Sequence, residues 1–291
     1  MRLNKFNPAN IRVRDQRGGG RRFPGGGGGK LGCGTIAVVL IGVFVFGADP
    51  AQMLGGLQEM EQTGAPQGQA QGGSSTAESC QVNQYSMEAC AHVASLNETW
   101  EPLFREAGIG FDQPVLNFYS RAGSSGCGTA QSAMGPFYCP SDNGIYIDTD
   151  FFDEMARRMG ARGDFARAYV IAHEYGHHIQ NLTGRAGQVR QMQQRYPAES
   201  NQLQVRMELE ADCYAGVWAA KNANRIEAGD IEEGLTAAHA VGDDTLMANA
   251  GRRPVEEAFT HGSSEQRRQW LQIGLEYGDE DQCNTFVGLQ G

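Results

Sequence analysis

The stretch His173-Glu-Tyr-Gly-His177 decides the fold, because two imidazoles four residues apart with a glutamate between them form a hydrolytic zinc site when they lie on a helix. The flanking residues predict that helix. Asp164 is a candidate N-cap, residues 165–182 contain no proline and repeat their apolar side chains at a helical period, and Gly184 can end the helix. The zinc motif is therefore predicted to be helical.

A metal-ligand set can be predicted from this helix. Side chains at positions i and i+4 lie roughly 5–6 Å apart on one face, so His173 and His177 can each direct a ring nitrogen at one metal ion about 2 Å away. A catalytic zinc usually has three protein ligands and an open position for water, so we expect a third ligand downstream. Residues 205–218 are predicted to form a second helix, on which Glu208 and Asp212 share a face. Glu208 is the predicted ligand, and Asp212 is predicted to orient a histidine by accepting its outer N–H.

Glu174 is the predicted general base of a peptide hydrolysis that uses Zn²⁺ as cofactor. Zinc lowers the pKa of its bound water toward neutrality and polarises the substrate carbonyl, while Glu174 takes the proton of that water and later passes it to the leaving amine. Glu210 faces another direction on the second helix and is the weaker ligand candidate. Cys213 is an alternative ligand, but the two histidines and Glu208 already complete a set of three.

The zinc motif followed by Glu208-x-x-x-Asp212 resembles the gluzincin arrangement of zinc peptidases. More narrowly, the chain resembles the bacterial neutral zinc metallopeptidase family, the YpfJ-like proteins. The resemblance implies a membrane-anchored zinc peptidase with a zincin-like catalytic domain, and no position that the zinc chemistry needs departs from the pattern. The stretches that carry it are residues 10–17, 132–140, 163–181, 208–213, 229–233 and 260–262.

Two further roles follow from the resemblance alone. Related gluzincins place a histidine downstream to donate a hydrogen bond to the developing oxyanion, which implies a catalytic role for His261. An ordinary loop histidine is the alternative. In zinc peptidases of this class a strand beside the active-site helix pairs with extended substrate, and the resemblance implies that Ile145–Asp148 is that strand.

The predicted fold class is α+β. Val115–Tyr119 and Ile145–Asp148 alternate like half-buried strands, and a short helix is predicted from Phe151 to Met159. Residues 201–276 are predicted to be mostly helical, with one helix at Ser264–Tyr277. We therefore expect a zincin-like catalytic domain with a small sheet, the active-site helix and a mostly helical C-terminal part, preceded by one N-terminal transmembrane helix.

Composition divides the chain into four parts. Residues 1–30 carry eight Lys or Arg against one acid, a charge near +7, and because the whole chain is at −10 the remainder is near −17. This glycine-rich piece is predicted to be a basic, disordered cytoplasmic tail. Residues 31–47 are predicted to be a transmembrane anchor and residues 48–78 a flexible Gln/Gly/Ser linker. Residues 79–291 are predicted to be the extracytoplasmic metallopeptidase domain.

A buried core helix and a cleavable signal peptide are the alternatives for residues 31–47. The basic flank and the long preceding tail favour a retained anchor, with the N-terminus in the cytoplasm and the catalytic domain periplasmic or extracellular. The expected partners are a peptide or protein substrate and, through the basic tail and anchor, membrane lipid. The acidic charge of the outer domain argues against nucleic-acid binding. The sequence does not predict the oligomeric state.

Six of the seven cysteines lie in the predicted external domain, where an oxidising compartment favours disulfides. Six cysteines allow 15 pairings, and the sequence alone does not choose among them. Our preferred pairing joins Cys80 to Cys90, Cys127 to Cys139 and Cys213 to Cys283.

The leading functional hypothesis is a membrane-anchored zinc-dependent endopeptidase. One alternative is a zinc hydrolase of cell-wall peptide crosslinks, and another is a metal-stabilised envelope adaptor that does not cut its partners. The remaining histidines, His92, His178 and His239, are predicted to be structural.

Overall fold

The computed structural model describes residues 1–2, 6–17 and 75–287, and within them the chain is α+β. The strands are β1 (Arg12–Asp15), β2 (Val115–Tyr119), β3 (Ala122–Ser125), β4 (Gly128–Gln131), β5 (Phe137–Cys139) and β6 (Gly144–Asp148). The α-helices are α1 (Thr76–Cys80), α2 (Gln84–Glu106), α3 (Asp150–Arg158), α4 (Asp164–Leu182), α5 (Arg185–Arg195), α6 (Ser200–Lys221), α7 (Asp230–Ala240), α8 (Asp243–Asn249) and α9 (Ser264–Tyr277). Short 3-10 helices lie at Pro8–Asn10, Ser132–Met134, Pro197–Glu199, Ala223–Arg225, Glu256–Ala258 and Glu280–Cys283.

A four-stranded sheet in the order β1-β2-β6-β5 lies beside the active-site helix. Strands β1, β2 and β6 are parallel, with Val13 opposite Leu116 and Leu116 opposite Ile145, whereas β5 runs antiparallel to β6. The two central strands are buried almost throughout, as expected for strands covered on both faces. Strands β3 and β4 form a separate antiparallel hairpin. The edge next to β6 is therefore occupied by β5, which is itself an edge strand.

Helix α4 carries the zinc motif through the interior of the domain. It spans the predicted residues, although its N-cap is Gly163 and the predicted cap, Asp164, is the first helical residue. Helices α2, α6 and α7 pack against it, and Phe165 stacks on Trp218 of α6 with ring centroids 6.5 Å apart. The polar side chains of the motif are thus held in a protein interior, where electrostatic interactions are stronger than in water.

Three glycines allow the helices around the site to touch backbone to backbone. A Cβ on Gly176, inside the zinc motif, would lie 2.9 Å from the Ala211 Cα of α6. A Cβ on Gly216 of α6 would lie 2.3 Å from the Leu271 carbonyl oxygen of α9, and one on Gly274 would lie 2.0 Å from the carbonyl oxygen of Cys213. Any larger residue at these positions would force the helices apart. The glycines therefore set the spacing of α4, α6 and α9.

The disulfides follow the preferred pairing. The structure joins Cys80 to Cys90, Cys127 to Cys139 and Cys213 to Cys283. The last bond ties the C-terminal 3-10 helix to α6 at the residue after Asp212. It therefore fixes this 3-10 helix against the helix that carries the predicted ligand Glu208.

The N-terminal residues belong to the folded domain. The α-ammonium of Met1 is 2.8 Å from Asp164 at the start of α4 and 2.9 Å from Asp230 at the start of α7. Strand β1 pairs with β2, and Arg17 donates a 2.6 Å hydrogen bond to the Ser79 carbonyl oxygen. The expected disorder of residues 1–30 therefore does not hold at β1. Short strands with charged side chains are ordered here by pairing and by ion pairs, which composition does not reveal.

The prediction of a single-pass membrane protein is wrong. No helix in the described part of the chain combines the length and apolar character needed to cross a membrane. The predicted anchor at residues 31–47 lies outside the described residues, as do residues 18–74 in general. The predicted topology also fails on a positive observation, since the Met1 ammonium and β1 bind the catalytic domain and so lie on the same side of any membrane. The fold class is corrected to α+β without a membrane-spanning helix among the described residues.

Candidate active site

Three predicted ligand atoms meet between α4 and α6. The Nε2 atom of His173 lies 3.1 Å from the Glu208 Oε2 atom, and the Nε2 atom of His177 lies 3.5 Å from the same oxygen. The ligand atoms of these three residues all lie within 4.8 Å of one another. Tetrahedral zinc with ligands at about 2.0–2.2 Å would require ligand atoms roughly 3.3–3.6 Å apart. Donor type and spacing therefore both fit a zinc ion held by two imidazoles and one carboxylate.

The outer nitrogen of His173 is bound by Asp212. The Nδ1 atom donates to Asp212 Oδ1 over 2.8 Å, so the Nε2 atom is left to face Glu208. Asp212 is fully buried and also accepts hydrogen bonds from the Tyr169 hydroxyl, at 2.6 Å, and from the guanidinium of Arg267, at 2.8 and 2.9 Å. A carboxylate bound in this way fixes both the orientation and the tautomer of a metal-binding histidine.

The outer nitrogen of His177 is bound by Gln180. Its Nδ1 atom donates to Gln180 Oε1 over 2.9 Å, and Gln180 Nε2 donates to the Met207 carbonyl oxygen and to Glu210 Oε2 at 2.7 and 2.9 Å. Glu210 is fully buried, with Arg185 3.2 Å away, and it faces Gln180 rather than the ligand atoms. Gln180 was not among the site residues predicted from the sequence. Its position three residues after His177 on one helix was the available signal.

Opposing effects set the pKa values of the ligand residues in the metal-free site. Burial would raise the pKa of Glu208, but His173, His177 and His261 together hold it well below its usual range. Burial would lower the pKa of His173, but Asp212 and Glu208 raise it to about 9. The site therefore stabilises Glu208 as a carboxylate and makes His173 a basic group that protons and metal ions compete for.

Glu174 lies between the two ligand histidines in the sequence and is only 8% exposed. Burial raises the pKa of its carboxyl, and the nearby Glu208 raises it further, while His173 and His177 act in the opposite direction. A carboxylate with a raised pKa is a stronger base than one in water. This is the property that a proton-accepting group beside a hydrolytic metal requires.

His261 lies on the loop that leads into α9, and its orientation is held by Asp243. Its Nδ1 atom is 3.1 Å from Asp243 Oδ1, and Asp243 Oδ2 accepts the backbone N–H groups of Thr260 and His261 at 2.6 and 2.7 Å. The next residue, Gly262, lies near the side chains of Val205 and Leu209 of α6, which are three residues before and one residue after Glu208. His261 is also close enough to Glu208 to lower its pKa. The fold therefore brings His261 to the predicted site.

Arg267 enters the site although no sequence signal pointed to it. It lies one turn into α9 and is 4% exposed. Its guanidinium reaches Asp212 because Gly216 and Gly274 allow α9 to contact α6 closely. The contact depends on residues distant in sequence, so motif spacing could not predict it.

The remaining histidines have structural surroundings. His178 Nε2 donates to the Asp112 carbonyl oxygen over 2.7 Å, and its Nδ1 atom is 3.0 Å from the Tyr138 hydroxyl. His92 is completely buried against Trp218, and burial lowers its pKa to about 3. His239 lies exposed on α7. In the part of the chain that the structure describes, none of these three histidines belongs to the cluster of ligand atoms formed by His173, His177 and Glu208.

The predicted substrate strand, Ile145–Asp148, is wrong. It forms most of β6, whose two edges are already paired with β2 and β5. The two edge strands of the described sheet are β1 and β5. Of these, β5 contacts the zinc-motif helix, because Tyr138 on β5 accepts a 3.1 Å hydrogen bond from Asn181 of α4. The three-residue strand at 137–139 is too short to show an alternating pattern, so no sequence pattern indicated it.

Comparison with known proteins identifies relatives along nearly the whole chain. A family model described as "Putative neutral zinc metallopeptidase" matches residues 2–286. The chain is 44% identical over 272 residues to the uncharacterized protein YpfJ of Escherichia coli (strain K12), covering 92% of this chain and 90% of that protein. It is 42% identical over 205 residues to the uncharacterized protein Rv2575 of Mycobacterium tuberculosis (strain ATCC 25618 / H37Rv), covering 66% and 67%. No solved structure matches the chain. The resemblance drawn from the sequence motifs is confirmed.

Proposed function

The chain belongs to the family of putative neutral zinc metallopeptidases, and from that premise we propose that it is a zinc-dependent endopeptidase. The observation that carries the proposal is the meeting of three donor atoms from His173, His177 and Glu208 beside the buried carboxylate of Glu174. Two imidazoles and one carboxylate form the ligand set of hydrolytic zinc sites that retain an open position.

His173, His177 and Glu208 would hold the metal ion. Zinc, when bound, supplies a Lewis acid that lowers the pKa of a water molecule and polarises a peptide carbonyl. Glu174 accepts the proton of the attacking water and returns it to the leaving amine. Asp212 and Gln180 keep the two imidazoles in the tautomer whose Nε2 atom faces Glu208.

His261 supplies a hydrogen-bond donor for the oxyanion that develops during attack. In the imidazolium form the ring donates its Nδ1–H to Asp243 and keeps its Nε2–H for the oxyanion. The backbone N–H groups that bind Asp243 hold this carboxylate in place. The histidine is therefore oriented before substrate binds, so little reorganisation is required in the transition state.

An extended peptide is the substrate that the surroundings favour. Strand β5 is an edge strand and contacts α4 through Tyr138. An extended chain can add to such an edge through main-chain hydrogen bonds, which recognise peptide backbone with little regard for its side chains. We therefore propose binding at β5 in place of the strand inferred from the sequence.

The test uses the full chain loaded with zinc and a mixture of unfolded proteins. New termini are mapped by mass spectrometry for the parent, for Glu174→Gln and for Glu232→Gln, an exposed glutamate on α7 as the control. We expect new termini with the parent and the control and none with Glu174→Gln. Equal cleavage by Glu174→Gln would exclude its role as base. Bound zinc without cleavage of proteins or of purified cell-wall crosslinks would favour the non-catalytic adaptor.

A further inference from the structure

The guanidinium of Arg267 binds the carboxylate of Asp212 at the candidate zinc site. Its Nε atom donates to Asp212 Oδ2 over 2.8 Å and its Nη2 atom to Asp212 Oδ1 over 2.9 Å. Its Nη1 atom donates to the Val241 carbonyl oxygen over 3.2 Å. The planar group is therefore fixed by two partners on different elements, and it holds Asp212 by a bidentate pair.

This pair determines how Asp212 meets His173. The Oδ1 atom of Asp212 accepts hydrogen bonds from His173, Tyr169 and Arg267, whereas Oδ2 has Arg267 as its donor. Without the guanidinium, Oδ2 would lose that donor and the carboxylate could rotate. A buried carboxylate without its cation is also costly, so a change of orientation or of surroundings would follow.

Arg267 also confines the ring of His173 directly. Its Nη2 atom lies 3.2 Å from Nδ1 and 3.5 Å from Nε2 of that imidazole. Contact with both ring nitrogens places the guanidinium against the ring. Rotation of the imidazole away from Glu208 would therefore have to displace a buried arginine that donates three hydrogen bonds.

We propose that Arg267 is a positioning residue for the metal site, which acts through Asp212 to hold His173 in its ligand orientation. The inference rests on the proposed function, because it assigns Arg267 to the same zinc centre. It adds a residue from α9 to a site whose ligands all come from α4 and α6. The glycine contacts at Gly216 and Gly274 are what allow α9 to deliver it.

The experiment measures zinc affinity by competition with a chelator in the full chain. The variants are Arg267→Met, which removes the cation, Arg267→Lys, which keeps the charge but not the bidentate fork, and Arg268→Met, the control on the same helix. Loss of a partner outside the ligand set typically weakens metal binding about 10–100-fold. We expect a loss in that range for Arg267→Met, a smaller loss for Arg267→Lys and parental affinity for Arg268→Met. A folded Arg267→Met with affinity within about twofold of the parent would overturn the proposal.

A double-mutant cycle separates positioning through Asp212 from general support of the fold. In an Asp212→Asn background, Arg267→Met should weaken zinc binding by a clearly smaller factor than in the parent, because the ion pair with Asp212 has been removed and only the direct contact with His173 remains. The double variant also removes the buried carboxylate and the buried guanidinium together, so neither charge is left without its partner. It can therefore still be measured if Arg267→Met alone fails to fold. Fully multiplicative losses would overturn the inference.

Failure of the proposed function gives a different result. A parent that binds zinc but cleaves nothing would contradict the peptidase, while the affinity ratios would still decide the role of Arg267. A parent that binds no zinc would overturn both.

Discussion

Gly176 lies directly against Ala211, so close that a Cβ on the glycine would come within 2.9 Å of the Ala211 Cα and 3.0 Å of its carbonyl oxygen. This contact brings the zinc-motif helix α4 against α6. His173 and His177 on one side can therefore meet Glu208 and Asp212 on the other. The glycine within the motif is thus part of the geometry of the site.

Gly176→Ala should weaken zinc binding and lower the free energy of unfolding. The added methyl group would push α4 from α6, and overpacking of a well-packed interior typically costs about 1–3 kcal/mol. Chelator competition and denaturant unfolding measure the two effects. Gly187→Ala on α5 is the matched control, because its new Cβ meets no atom within 4 Å and should leave both quantities unchanged or slightly increase stability. Parental zinc affinity in Gly176→Ala would exclude this role of the contact.

Glu208→Ala and Gln180→Met should weaken zinc binding to different degrees. Gln180 binds the outer nitrogen of His177, and loss of such a partner costs about 10–100-fold in affinity. Glu208 is a proposed ligand, so its loss should exceed that range. Gln194→Met, at an exposed position on α5, is the control. Undiminished zinc affinity in Glu208→Ala would remove Glu208 from the ligand set.

His261→Gln should lower kcat while zinc remains bound. Removal of one oxyanion donor typically reduces kcat about 10²–10³-fold. Asp243→Asn should give a smaller loss, because Asp243 orients His261 without contacting substrate. The measurement is steady-state cleavage of a peptide together with zinc content, and His239→Gln on the exposed face of α7 is the control. A His261 variant with parental kcat would return this residue to a structural role.

Zinc affinity should rise with pH until about pH 9. Burial acts to lower the pKa of His173 in the metal-free protein, but Asp212 raises it to about 9, and zinc binds only the neutral imidazole. Release of the His173 proton makes affinity rise about tenfold per pH unit below that value. Because burial lowers the pKa of His177 less than Glu208 raises it, the slope should steepen toward lower pH. Chelator competition between pH 6.5 and 9.5 would measure the slope. A zinc affinity that does not change with pH would contradict proton release from His173.

The raised pKa of His173 also predicts how the free energy of unfolding of the metal-free protein depends on pH. A folded-state pKa above the unfolded value of 6.5 means that protonated His173 stabilises the metal-free fold, fully below pH 6.5 and less as pH rises through about 9. The free energy of unfolding of the metal-free protein should therefore fall over this interval. Replacement of His173 by Asn should reduce this fall. An identical fall in the variant would assign it to other groups.

The part of the site that lies on continuous helices was predictable from the sequence. The i, i+4 spacing of His173 and His177 and the shared face of Glu208 and Asp212 follow from helical geometry, and the structure brings these side chains together. Arg267 was not predictable. Its contact with Asp212 requires α9 to approach α6, and two glycines 58 residues apart set that approach.

The fold was predicted least well where strand pairing between distant residues orders a segment whose composition suggests disorder. The basic character of residues 1–30 indicated a disordered tail, yet β1 is ordered by pairing with β2. Arg17 adds an ion pair with Asp15 and a cation–π contact with Phe118, at 4.3 Å from the ring centroid. The substrate strand was misassigned for a similar reason, because the position of β5 beside β6 is a long-range property of the sheet. Local patterns do not contain these contacts.

The most direct test of a catalytic zinc site is to titrate zinc into metal-free protein while measuring peptide cleavage. We predict that cleavage rises in proportion to added zinc and stops rising at one equivalent per chain. Glu174→Gln should bind the same single equivalent and cleave nothing. Cleavage by the metal-free protein, or one tightly bound equivalent that produces no cleavage in the parent, would contradict the account.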